Sequence, residues 1–235
     1  MTPQISIILP TFNERENILP LISAIEEALG NYTYEILVVD DQSPDGTAEV
    51  VEAIKNSRVR VIVRSQDKGY AKSILCGIEN SKAQTIIMMD SDFNHSPSDL
   101  PRMLELLVDN DLVSASRFLK GGAMSPPWRA FASWMFNVFI RRITGSQLTD
   151  HLFGFFVIKR AVLSNIPTGD IFYGFGDYGI RLLYYLNKAH AKILEVPSVC
   201  GRRRTGTGNR QLFRTFVQYT KETLSLARKT SFHRN

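Results

Sequence analysis

Cysteine is scarce in this chain of 235 residues: Cys76 and Cys200 stand far apart in apolar surroundings, which fits packing better than a disulfide or a zinc site. The 4 histidines are scattered, so no metal-ligand spacing arises from them. No apolar run approaches the roughly 20 residues that span a bilayer. The nearest, residues 128–143, is interrupted by arginines, so surface attachment stays open while spanning is not expected. A Gly-x-Gly-x-x-Gly turn after a strand is missing, as are a nucleophile elbow and the glycine-rich N-terminal loop of a nucleotidyltransferase. These absences weigh against dinucleotide enzymes, serine hydrolases and nucleotidyl transfer. The start of the sequence has neither a basic n-region nor a small-residue cleavage site, so the expected place is the cytoplasm, free or peripheral on the cytoplasmic face of a membrane. No recognised nucleic-acid-binding module is found, and no nucleic-acid partner is expected.

What is present is an ordinary globular composition, 44% hydrophobic and 22% charged, in a length that suits one large domain. The net charge of +5 hides an asymmetry. Residues 1–115 carry 9 Lys and Arg against 18 Asp and Glu, net −9, while residues 116–235 carry 19 against 5, net +14. An acidic half able to hold a cation precedes a basic half able to hold phosphates or an anionic surface, unless both are solvated surface charge.

Short β-branched runs alternate with amphipathic stretches. Strands are predicted at residues 5–9, 35–39, 59–63, 85–89 and 112–115, with helices at 14–29, 47–56, 71–81 and 98–108 between them. The strands are continuous apolar runs, as in a mostly parallel sheet with helices on both faces, and ligands of such α/β sheets bind beyond the carboxyl ends of the strands. After Arg117 the alternation fails. Trp128, Phe131, Trp134, Met135, Val138 and Phe139 recur at three- and four-residue spacing among Arg129, Arg141 and Arg142, which describes a helix either packed on the sheet or lying in a membrane interface. Later elements are predicted at 155–158 (strand), 178–188 (helix), 193–196 (strand) and 211–228 (helix).

The chemistry gathers at the predicted strand ends. Asp90-Ser91-Asp92 offers carboxylates two residues apart, suited to a hard cation such as Mg²⁺ or Mn²⁺ that keeps waters or substrate phosphates as its other ligands; Asn94 or His95 could complete the shell. Two aspartates near a turn are common on surfaces, so the triplet alone is weak. In the run from Asp40 to Thr47, residues 43–47 read as turn and helix start with Asp45 as a cap. The adjacent Asp40 and Asp41 repel one another unless donors or a ligand use them, and one could accept hydrogen bonds from a nucleoside. A response-regulator receiver also combines an acid pair, a further aspartate and a lysine, but its pair is expected after the first strand, and this one follows the second.

Together, residues 5–14 (ISIILPTFNE), 38–47 (VVDDQSPDGT), 89–97 (MDSDFNHSP) and Ser116-Arg117 resemble the inverting family 2 glycosyltransferases, most closely the dolichol-phosphate and polyprenyl-phosphate mannosyltransferases, over roughly residues 5–205. The resemblance implies an α/β GT-A fold. Residues 1–117 would form the nucleotide-sugar-binding part, 118–208 the acceptor side of the same domain, and 209–235 a C-terminal amphipathic helix and tail. Pro10, Phe12, Glu14, Asp41 and Asp90 would contact the donor, and Asp90, Asp92 and Asn94 the metal. Arg117, Arg129 and one of Arg202, Arg203 or Arg204 would bind donor or acceptor phosphate, as the guanidinium fork suits. Residues 150–160 (DHLFGFFVIKR) resemble the family's Asp-x-x-Ser/Thr-Gly-Phe segment, but Phe153 stands at the small hydroxyl position. Asn94 likewise replaces a frequent Gln, and residues 206–209 replace Gly-x-Ser-Lys. Expected partners are a nucleotide-diphosphate sugar, a polyprenyl phosphate or a saccharide acceptor, and a membrane surface, a membrane protein or a second copy. A saccharide hydroxyl would need a general base, for which Asp177 is the first candidate and Asp150 the second, although Asp177 also fits a helix cap. A noncatalytic nucleotide-sugar-binding scaffold is the alternative of another class.

Overall fold

The computed structural model describes residues 2–201 and 212–232. Among these described residues seven strands form one sheet: β1 (Ile5–Thr11), β2 (Tyr34–Asp40), β3 (Val59–Val63), β4 (Thr85–Met88), β5 (Leu112–Ser116), β6 (Phe156–Lys159) and β7 (Ile193–Pro197), in the order β3-β2-β1-β4-β6-β5-β7. All neighbours are parallel except β6, which runs antiparallel to both β4 and β5. The helices are α1 (Arg15–Leu29), α2 (Thr47–Glu52), α3 (Tyr70–Asn80), α4 (Leu100–Leu107), α5 (Pro127–Thr144), α6 (Arg160–Leu163), α7 (Tyr178–Lys188) and α8 (Leu212–Phe232).

The central strands are apolar on both faces because both faces are covered. Every residue of β1 and β2 is buried. Ile7, Leu9, Ile36 and Val38 pack under α1 and α4, whereas Ile8, Val39, Ile86 and Met88 pack under α3 and α7. A third, smaller cluster joins Phe136 and Ile140 of α5 to Ile180 and Tyr184 of α7 and Leu226 of α8.

The expected alternation is present with two differences. The helix expected at 47–56 stops at Glu52, and a turn carries Lys55 at φ 51 before β3 begins. The helix expected at 98–108 starts with a 3₁₀ turn (Pro97–Asp99) and becomes α-helical at Leu100, with Pro101 in its first turn, where a missing N–H costs nothing.

Candidate active site

The crevice opens where β1 and β4 part. Their pairing ends at Ile8 and Met88. In β1, Ile8 and Pro10 face β4, and Pro10 has no N–H to continue the ladder. Its carbonyl instead accepts the Ser91 hydroxyl at 2.8 Å, which anchors the loop after β4 beside the end of β1. Phe12 then projects 57% exposed, while Glu14 is buried and accepts Asn17 Nδ2 at 2.6 Å.

The acid pair at the end of β2 divides its labour. Asp40 is fully buried and structural: it accepts Thr11 Oγ1 at 2.9 Å and the backbone N–H and hydroxyl of Ser43 at 2.7 and 2.6 Å. Asp41 accepts the Gly69 N–H at 2.7 Å, Ser73 Oγ at 2.8 Å and Arg64 Nη1 at 3.0 Å. Arg64 and the start of α3 thus relieve the repulsion that the bare pair implied. Asp45 serves the start of α2, accepting the N–H and hydroxyl of Thr47 at 3.0 and 2.6 Å. Burial works against its charge, but the hydrogen bonds from Thr47 and the Arg15 N–H outweigh burial and lower its pKa.

The loop after β4 is shaped around Asp90, Asp92 and Asn94. Asn94 donates from its backbone and side chain to the two carboxylate oxygens of Asp92, at 3.0 and 2.8 Å. Phe93 sits between them at φ 67, a conformation rare for a bulky residue and typical of a loop held for function. Gly201 closes against this turn, its N–H on the Asn94 carbonyl at 2.9 Å; a Cβ there would stand 1.9 Å from the Phe93 carbonyl oxygen. The Tyr70 hydroxyl, from the first turn of α3, donates to Asp90 Oδ1.

His95 is not available as a ligand. Its Nδ1 accepts the Asp90 N–H at 2.8 Å and its Nε2 meets the Phe153 carbonyl at 2.8 Å, which fixes the Nε2–H tautomer because an amide only donates and a carbonyl only accepts. The ring stacks on Phe155 at 4.9 Å and meets Phe153 edge-on at 4.6 Å.

Among the described residues no group of three or more His, Cys, Asp or Glu forms a metal cluster. Asp90 and Asp92 supply two carboxylates and Asn94 an amide, with the Asp90 side chain 27% exposed. Such hard oxygen donors fit a Mg²⁺-type ion that takes one or two protein carboxylates and completes its shell from a phosphate ligand and water.

Across the crevice, Arg117 follows β5 and is buried with Asp150. Its Nε and Nη2 reach the two carboxylate oxygens at 2.7 and 2.8 Å, and its backbone N–H adds a third bond at 3.1 Å. Burial opposes the Arg117 charge, but the Asp150 carboxylate more than compensates and raises its pKa. The guanidinium lies 4.9 Å over the Phe153 ring, so the large residue at that position packs against the arginine. Among the described residues Nη1 contacts Met124 Sδ, at 3.3 Å, and it is the nitrogen of the fork that Asp150 does not hold. Asp150 is itself positioned by Glu195 of β7, whose carboxylate accepts the N–H groups of Thr149 and Asp150 at 2.7 and 2.9 Å.

The fold therefore brings Pro10, Phe12, Asp41, Asp90, Asp92, Asn94, Arg117 and Asp150 to one edge. Arg129 lies exposed in the first turn of α5. Arg202, Arg203 and Arg204 fall outside the described residues. Asp177, at the start of α7, is buried and paired with Arg181 at 2.6 Å, and also accepts the Phe175 N–H at 2.8 Å and Gln218 Nε2 at 3.2 Å. It makes no side-chain cap to α7. Arg64, Ser73, Tyr70 and Glu195 carry no motif in the sequence and reach the site only through the fold.

Comparison with known proteins shows the family and the fold. The model of Glycosyl transferase family 2 matches residues 6–166. The chain is 31% identical to a dolichol-phosphate mannosyltransferase of Pyrococcus furiosus, over 86% of this chain and 58% of that protein, so it spans little more than half of that relative. It is 30% identical to the dolichol-phosphate mannosyltransferase of Mycosarcoma maydis, over 87% of this chain and 73% of that one. It is also 30% identical to the undecaprenyl-phosphate mannosyltransferase of Micrococcus luteus, over 85% and 84%. Among solved structures, glucosyl-3-phosphoglycerate synthase of Mycobacterium tuberculosis, in complex with Mn²⁺, UDP and glucosyl-3-phosphoglycerate, superposes with a TM-score of 0.72 at 22% identity, covering 96% of this chain and 80% of that one. That likeness shows the GT-A fold.

Proposed function

The chain belongs to glycosyl transferase family 2, and from that premise we propose that it transfers a hexose, mannose by its relatives' activity, from a nucleotide-diphosphate sugar to a polyprenyl phosphate with inversion at the anomeric carbon. The observation that carries this reading is the state of the two candidate bases. Asp150 and Asp177 are both buried in ion pairs, with Arg117 and Arg181. A sugar hydroxyl must lose its proton to a base within hydrogen-bond reach, whereas a phosphate oxygen is already anionic and needs none. The site is therefore better matched to a phosphate acceptor than to a saccharide.

In this reading Phe12 and Asp41 hold the nucleoside, and Asp90 and Asp92, with Asn94 beside them, would hold Mg²⁺ or Mn²⁺. Such an ion supplies neutralisation of the charge that develops on the departing nucleotide diphosphate. Arg117, oriented by Asp150, offers Nη1 to a phosphate, and Arg129 lies on the helix that follows. The acceptor phosphate oxygen attacks the anomeric carbon from the face opposite the leaving group. A carbon–oxygen bond to the lipid phosphate forms as the bond to the nucleotide diphosphate breaks. The acceptor places the protein at a membrane surface. Among the described residues no helix is long and apolar enough to cross one.

The test is to incubate the full chain with GDP- and UDP-sugars and Mg²⁺ or Mn²⁺, with and without a short polyprenyl phosphate, and then with EDTA. Labelled lipid formed from one donor, dependent on metal and lipid, is the expected result. Donor hydrolysis without lipid product would move the acceptor to a saccharide. Absence of any sugar-nucleotide binding would remove the assignment.

A further inference from the structure

α5 has two unlike faces. On one, Phe136, Asn137 and Ile140 are buried, with Phe136 and Ile140 packed toward α7 and α8. On the other, Trp128, Phe131, Trp134 and Met135 are 62, 64, 45 and 50% exposed. Trp128, Phe131 and Met135 recur at spacings of three and four, and the exposed Arg142 continues their stripe one heptad further. Phe216 of α8, 54% exposed and 5.0 Å from the Phe136 ring, extends the apolar surface beyond the helix. Beside it, a cleft of about 200 Å³ runs between Phe118, Trp134, Val138 and Arg141. Scattered exposed apolar residues need no explanation, but a contiguous patch of large ones marks an interaction site.

Charge selects the partner. Residues 112–149 contain no aspartate or glutamate; with Arg117 buried against Asp150, the cations left at this surface are Lys120, Arg129, Arg141 and Arg142. A second copy would set this cationic rim against itself. An anionic bilayer accepts both parts, aromatic rings at headgroup depth and guanidinium groups on lipid phosphate. We infer that the outer face of α5 is a docking surface for an anionic lipid bilayer, with Trp128, Phe131, Trp134 and Met135 entering the interface and Arg142 among the headgroups. The inference rests on the lipid-phosphate reading only for its purpose. Arg117 Nη2 contacts Ser133 Oγ of the same helix at 3.3 Å, so docking by α5 brings the acceptor side of the crevice to the lipid phosphates.

The chain's only two tryptophans, Trp128 and Trp134, both lie on this face, so intrinsic fluorescence reports on it without a label. The full chain is titrated with phosphatidylcholine vesicles containing phosphatidylglycerol, with no polyprenyl phosphate present. Expected are a blue-shifted emission, quenching by brominated acyl chains, and co-sedimentation that weakens with salt. Trp128→Glu/Phe131→Glu, which keeps Trp134 as a probe, should weaken partitioning by about 100-fold, and Arg142→Gln by about fivefold at low salt. Wild-type protein with neither shift nor quenching overturns the inference, as does vesicle binding that both variants leave intact. A concentration-dependent dimer broken by Trp128→Glu/Phe131→Glu, without vesicle binding, would give the face to a second copy. Docking without sugar transfer to any polyprenyl phosphate keeps the surface and removes the proposed reaction. Transfer to a short soluble polyprenyl phosphate without docking does the reverse.

Discussion

Replacing Asp150 with asparagine tests whether its carboxylate serves Arg117 or the substrate. The side chain is fully buried. Its Oδ2 accepts Arg117 Nε at 2.7 Å and the Arg117 N–H at 3.1 Å, and its Oδ1 accepts Arg117 Nη2 at 2.8 Å and the Leu152 N–H at 3.1 Å. Asparagine keeps one acceptor oxygen but turns an NH₂ toward donors, and it leaves the guanidinium charge buried without its counter-charge. Breaking a buried pair from one side costs about 3–5 kcal/mol, and at about 2–4 °C per kcal/mol for a chain of this length Tm should fall by about 6–20 °C. Calorimetry or dye-monitored melting measures the loss, and initial rates with the best donor should fall with it because Arg117 is no longer held. Removing both charges, as Arg117→Met/Asp150→Leu, should return part of the stability and none of the activity. The reasoning fails if Asp150→Asn melts within about 2 °C of wild type while kcat collapses with donor affinity unchanged. That pattern would make Asp150 a base acting on the acceptor.

Tyr70→Phe deletes the hydrogen bond to Asp90, and since a bond to a charged group contributes about 1.5–3 kcal/mol, Mn²⁺ affinity should drop about 10- to 100-fold. The signal of free Mn²⁺ in electron paramagnetic resonance, with nucleotide diphosphate present, reads this directly, and unchanged binding would show that Tyr70 does not position the carboxylate. Asp92→Asn should lower transfer by about 10²–10³-fold, the loss typical of one electrostatic contact to a developing charge. A rate within tenfold of wild type would place the chemistry elsewhere. His151 gives a pH dependence of stability. Burial drives its pKa from 6.5 to about 4, against the pull of Asp150. The folded chain thus keeps the ring neutral while the unfolded chain protonates it, so this contribution is complete above pH 6.5 and is lost as pH falls toward 4. The slope is about 1.4 kcal/mol per pH unit and the whole effect ~3 kcal/mol. Urea unfolding between pH 7 and 4.5 should show it, and His151→Gln should flatten it.

What could be read from the sequence was what lies close together in it. Continuous apolar runs gave β1 to β5 their places because a strand covered on both faces has no polar side to show. The turn chemistry of residues 43–47 likewise predicted the start of α2. Asp90, Asp92 and Asn94 fall in one loop because their spacing of two is local. The acceptor side depends instead on pairings across long stretches of chain. A strand at 155–158 was expected, but its insertion between β4 and β5, antiparallel to both, had no local signal. That insertion carries Asp150, at the foot of β6, back to Arg117, 33 residues earlier, where three hydrogen bonds form between them. Sequence spacing left Asp150 open as a base, and only the fold reveals its partner. The same holds for Asp41, whose repulsion from Asp40 called for either donors or a ligand. Arg64, Ser73 and the Gly69 N–H answer much of that charge from the start of α3. A carboxylate's role is set by the donors around it, and in this chain those donors come from elements that the sequence alone does not bring together.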